Sequence, residues 1–141
     1  MKKIKALIIL LLVFYYTNSF AQKEIILKNM IEEVTFLASD QLQGRETGTK
    51  YEEISAKYIR EKYKKYNLLP GNGESYFQIF KATIKSNPHS NIKNKEVQGI
   101  NVIGYMDNSK AETIIIGAHY DHLGYGEFGS RHDGDREIHN G

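Results

Sequence analysis

Twelve residues constrain this chain more than any others: Thr113 to Gly124, read Thr-Ile-Ile-Ile-Gly-Ala-His-Tyr-Asp-His-Leu-Gly. Three β-branched residues in a row favour a strand buried on both faces. The run passes through Gly117 and Ala118 into His119, Asp121 and His122. In open α/β sheets, ligands sit outside the carboxyl ends of such strands. The expectation is a buried strand, Ile114 to Ile116, that delivers polar chemistry at His119 and just beyond. Residues i and i+2 of an extended backbone share a face, so His119 and Asp121 can lie side by side. An imidazole on a metal, steadied by a carboxylate, is one use of that pair; a histidine and a turn former at a strand end is the other.

The N-terminus has the pattern of an export leader. Lys2, Lys3 and Lys5 precede an apolar core of 11 residues, Ala6 to Tyr16, and Ser19-Phe20-Ala21 supplies a small-x-small cleavage site. Such a core is too short for a comfortable membrane span. The domain reading is therefore a signal peptide over 1–21 and a mature chain over 22–141, exported to a periplasm or secreted, with no stable membrane anchor. Taking the three leader lysines from 19 basic residues leaves 16 against 17 acidic ones, so the mature chain carries a formal charge of −1. That balance gives no footprint for nucleic acid. The chain has no cysteine, which excludes disulfides and thiolate zinc sites.

In chain order, Leu27, Met30, Ile31, Val34 and Leu37 follow the spacing of one helical face, predicting an amphipathic helix over 24–38 packed on something larger. Gly44 and Gly48 mark turns or close backbone approach. Thr49 with Glu52 forms a capping box for a second helix that runs to about Tyr66, with Tyr51, Ile54, Tyr58, Ile59, Tyr63 and Tyr66 as its apolar face. Tyr76 to Ile84 reads as a strand with a bulge near Ile79, where the alternation changes face. Residues 85–98, with Pro88 and His89, read as a loop or an irregular edge strand. A hairpin of 99–106 with 112–118 is the economical pairing for the segments that follow. Residues 125–141 are glycine-rich and hold His132 and His139. With no helix after the last strand, the chain reads as the front half of a larger domain.

The order Leu37-Ala38-Ser39-Asp40, Gly44-Arg45-Glu46-Thr47-Gly48-Thr49, an amphipathic helix, Asn101-Val102-Ile103-Gly104 and Gly117-Ala118-His119-Tyr120-Asp121-His122-Leu123-Gly124 resembles the M28 family of zinc metallopeptidases. The similarity covers most of residues 27–141. It implies an α/β fold: the N-terminal part of a three-layer zinc-peptidase domain, with a mixed sheet and flanking helices, incomplete in this chain. It implies His119 as a zinc ligand, Asp121 as the catalytic-site carboxylate that holds the metal site in shape, and His122 and His139 as site-lining residues. Two zinc ions and peptide substrates go with it. The activity implied is an aminopeptidase-like hydrolase in which zinc activates a water for attack on a peptide carbonyl. Asn140-Gly141 matches the lead-in to the family's Gly-Ala-Asp-Asp-Asn block, so further ligands and the general base fall outside the chain, and the chain alone is expected to be inactive. A glutaminyl-cyclase-like acyltransferase of the same fold is one alternative. A non-catalytic peptide- or partner-binding chain is another. The run His119-x-Asp121-His122 is also similar to the tail of the metallo-β-lactamase motif, but Gly117 stands where that motif's first histidine belongs.

Overall fold

Residues 1–37 contain neither glycine nor proline, so nothing in their backbone chemistry stops a helix once begun. In the computed structural model they form one helix, α1, Lys2–Leu37. The structure describes residues 2–85, 93–127, 129–131 and 134–141, with the backbone alone at 2, 3, 6, 9 and 11–21. His89 and His132 lie outside the described residues. The chain divides into two compact units, Met1–Phe36 and Leu37–Gly141. In the first, the apolar stripe read from the sequence exists, but Leu27, Met30, Ile31 and Val34 are each more than half exposed rather than buried. Lys28 and Glu32 add an exposed i,i+4 pair at 3.8 Å. Among the described residues no helix is long and apolar enough to cross a membrane.

The second unit opens with a kinked 3₁₀ segment, Asp40–Arg45, in which Gln43, Gly44 and Arg45 take positive φ (41°, 70° and 47°). Gly44 is a close approach of three chain segments: a Cβ there would lie 2.5 Å from the His139 carbonyl oxygen and 2.6 Å from that of Gly124. Helix α2, Lys50–Lys65, starts where the capping pair predicts, with Thr49 Oγ1 accepting from the Glu52 amide at 3.4 Å. Its buried residues are Glu52, Ser55 and Ala56. The tyrosine stripe is not the inward face; Ile54 and Tyr66 are exposed, and small residues let α2 approach its neighbours closely.

Strands β1 (Leu69–Pro70), β2 (Phe77–Ile84), β3 (Lys95–Val102) and β4 (Gly104–Tyr105) form two separate antiparallel pairs, β1 with β4 and β2 with β3. The β2–β3 register runs unbroken from Phe77 opposite Val102 to Ile84 opposite Lys95, so the bulge expected near Ile79 is absent. The Phe80 ring fills the place where Gly99 would carry a side chain, 2.4 Å from that glycine's ideal Cβ position, and so covers the glycine across the ladder. Among the described residues, Leu42, Ala56 and Val97 are the buried apolar ones.

The architecture is thus mixed α/β, with helices and two small antiparallel sheets. The expected three-layer zinc-peptidase arrangement around one mixed sheet does not form among the described residues. The expected hairpin of 99–106 with 112–118 does not form either: β3 pairs with β2 on one edge, and on the other the amide and carbonyl of Ile100 are taken by the side chains of Glu52 and Tyr120. Residues 113–121 hold no helix or strand, and Ile114, Ile115 and Ile116 are 86, 90 and 93 % exposed. The most apolar, most β-prone run of the unit therefore lies on its surface.

Candidate functional site

Arg45 organises the residues singled out by sequence. Its positive φ turns the side chain into the unit, where the residue is 8 % exposed. Nε donates to the Tyr120 carbonyl at 2.6 Å, Nη2 to the Asn140 carbonyl at 2.8 Å, and Nη1 to that of Leu37. Burial lowers its pKa from the ordinary arginine value and nearby Asp121 opposes that shift. Main-chain bonds complete the clasp: His122 N to Arg45 O at 3.1 Å, Gly124 N to Gly44 O at 3.0 Å and His139 N to Gly124 O at 2.8 Å. Asn140 adds a side-chain bond to Asp40 at 2.7 Å.

Glu52 is a second buried charge, 2 % exposed. Its carboxylate accepts from Gly48 N at 2.6 Å and from Ile100 N at 2.9 Å, tying the start of α2 to β3. The Tyr120 hydroxyl donates to Ile100 O at 2.6 Å. Burial first, then the nearby carboxylates of Glu52 and Asp121, raise the Tyr120 pKa far above its usual value. Sequence reading found Glu52 as a capping residue but not its reach to β3, and it passed over Arg45 and Tyr120. Gly44 and Gly48, on either side of Arg45, were the available signal, since glycine marks a turn or a close approach of backbone.

The four predicted site residues are close in sequence or across the clasp, yet they point at different partners. His119 lies on the surface, its Nδ1 2.9 Å from the Asp121 carbonyl oxygen and 3.4 Å from Asp121 Oδ1. The other carboxylate oxygen, Asp121 Oδ2, accepts from Thr47 Oγ1 at 2.7 Å. His139 Nε2 lies 3.3 Å from Ser130 Oγ. His122 is partly buried; burial and then the charges of Arg45, His119 and His139 lower its pKa, with Asp121 opposing.

No protein-family model matches the chain, nor does any curated protein or any solved structure. No group of three or more histidine, cysteine, aspartate or glutamate side chains able to hold a metal ion occurs among the described residues. These two findings overturn the resemblance to M28 zinc metallopeptidases and, with it, the two zinc ions, the aminopeptidase-like hydrolase and the glutaminyl-cyclase alternative built on the same metal strand. The physical reason is in the geometry: His119 folds back on its own loop, Asp121 is bonded to Thr47, and His139 faces Ser130, so no three of these groups converge. What the arrangement does is mechanical. It locks residues 120–124 and 139–141 onto the 3₁₀ segment and leaves the run before Tyr120 bare.

Proposed function

We propose that residues 37–141 act as a protein-binding module that donates the stretch Thr113–Ala118 as a strand to the edge of a β-sheet. One observation carries this reading: three consecutive isoleucines, 86 to 93 % exposed, with no strand paired to them among the described residues. Burying one such side chain is worth about 1.5–3 kcal/mol, and the stretch has high β-propensity, no charge and no proline. A protein sheet edge satisfies both its side chains and its main chain, which is the recognition mode of strand addition. The peptide partner read from the sequence enters here as a sheet edge rather than as a substrate. We further propose that the module works outside the cytoplasm after removal of the leader at Ala21, on the strength of the three-part leader pattern.

Placing a photo-crosslinking residue at Ile115 (Ile115→benzoylphenylalanine) in cells that export the chain tests the binding reading. A light-dependent adduct of discrete mass is expected there, and not at Met106, which is exposed but lies outside the run. Equal labelling at both positions refutes the reading. Mass spectrometry of the exported chain should find Gln22 at its N-terminus; retention of Met1 refutes the leader.

A further inference from the structure

The two edges of the β2–β3 pair differ. Ile100 turns its amide and carbonyl outward, to Glu52 and Tyr120, so Ile100 and the opposing Ile79 form a non-hydrogen-bonded pair. On β3 the outward groups of Ile100 are therefore closed by side chains. On β2 the outward residues are those in step with Ile79: Phe77, Lys81 and Thr83. Phe77 is closed, its amide bonded to Ser75 Oγ at 3.0 Å and its carbonyl accepting from Asn72 Nδ2 at 2.9 Å. The main-chain groups of Ile79, Lys81 and Thr83 have no partner among the described residues. One chain thus holds an open strand edge and an unpaired β-prone run.

We infer that the two meet between copies: Thr113–Ala118 of one molecule pairs antiparallel with the open edge of β2 in a second, with Ile114 opposite Ile79. This rests on the strand-donation reading above and names its partner. The register follows from complementarity. With Ile114 opposite Ile79, Ile116 faces the Phe77 ring and Glu112 faces Lys81, so two apolar pairs and one opposite-charge pair fall on one face. The parallel alternative sets Lys81 against Ile116. That same face carries an open cleft of about 440 Å³, lined by Phe77, Ile79, Ile100 and the first turn of α2, which receives Ile114 and Ile116 at its rim.

The run does not reach this edge within its own chain. Tyr120 is fixed at the far edge of β3 through its hydroxyl and through its carbonyl on Arg45. The four residues from Ile116 to Tyr120 span at most about 14 Å. Crossing from outside β3 to outside β2 consumes about 14 Å in strand spacings alone, leaving nothing for the rise over the sheet.

Because the chain contains no cysteine, the register can be trapped covalently. Ala82 and Ala111 fall opposite each other at a non-hydrogen-bonded position, where Cβ atoms are close enough for a disulfide. Full chains carrying Ala82→Cys and Ala111→Cys, mixed and oxidised, should give a disulfide-linked heterodimer. A mixture of Ala82→Cys with Ala118→Cys, out of register, should not. Adding Ile114→Lys to the Ala111→Cys chain should weaken association about tenfold, while circular dichroism stays unchanged because Ile114 is solvent-exposed. Equal crosslinking of both mixtures, or none, overturns the inference. If the Ile115 photo-adduct then still forms with another protein, strand donation survives and only the second copy as partner is lost. If no photo-adduct forms either, both fall.

Discussion

Arg45 and Ile116 belong to one compact unit and occupy opposite ends of its exposure scale: the arginine is 8 % exposed and the isoleucine 93 %. Transfer energetics alone would reverse them. The guanidinium is inside because its three nitrogens find three carbonyls, a match that its planar, five-donor fork makes available. Ile116 is outside because a strand is not stable alone; its amides and carbonyls need a neighbour before its side chains can be buried. Burial in this protein follows main-chain satisfaction first and hydrophobicity second. The clasp around Arg45 is the closed region and Thr113–Ala118 the open one.

Removing the cation should therefore produce the largest effect. Arg45→Met keeps the volume and strands the carbonyls of Leu37, Tyr120 and Asn140, at an expected cost of about 3 kcal/mol. Urea unfolding of the purified chain measures it, and a loss below about 1 kcal/mol would place Arg45 among ordinary surface positions and break the contrast. Glu52→Gln comes next. One carboxylate oxygen becomes an NH₂ group facing the amide of Gly48 or Ile100, donor against donor, which should cost about 2 kcal/mol. Wild-type stability in this variant would mean that the tie between α2 and β3 carries no load.

How far the sequence announced these regions depends on the range of the interactions involved. Thr49 and Glu52 are three residues apart, and the helix they start was legible to within a residue at each end. β2 was legible too, as Phe77–Ile84 against an expected Tyr76–Ile84. Its partner was not: β3 meets it with Phe80 opposite Gly99, a contact across 19 residues of sequence that no local period encodes. The isoleucine run was read as a buried strand because β-propensity describes a fit to a sheet and cannot say whether one is present. His119 and Asp121 lie side by side, Nδ1 3.4 Å from Oδ1, though not on a strand; two neighbouring residues do not bring a third group to them, and no metal-binding group forms among the described residues. Arg45 escaped notice because its partners are carbonyls, which every residue has.

Tyr120 joins the two regions, and its titration sharpens the boundary between them. Its pKa is raised in the folded state, so the folded protein keeps a proton that the unfolded chain loses above about pH 10. The unfolded state then binds fewer protons, and stability must fall as pH rises through that range. The contribution is complete below pH 10 and is lost above it at up to about 1.4 kcal/mol per pH unit. Tyr120→Phe should cost about 1 kcal/mol at neutral pH, through the lost bond to Ile100, and should remove this part of the alkaline slope. Denaturant midpoints of both proteins between pH 8 and 11, a range set around the ordinary tyrosine value, provide the comparison. Parallel curves would mean that the phenol is open to water and that the clasp ends before residue 120.

The smallest effect on stability is expected where the sequence looks most like core. Ile115→Lys replaces a β-branched residue that is 90 % exposed, and no described residue packs on it or bonds to its main chain. In a buried strand a lysine there would be ruinous, since an unpaired charge would lose its water. On a bare run it loses nothing on folding, and the unfolding free energy should stay within about 0.5 kcal/mol of wild type. The measurement belongs at protein concentrations low enough to keep copies apart, because pairing between molecules would add a concentration-dependent term to the measured stability. A loss of several kcal/mol under those conditions would show that Ile115 is buried within its own chain, and the open region would then be as closed as the one around Arg45.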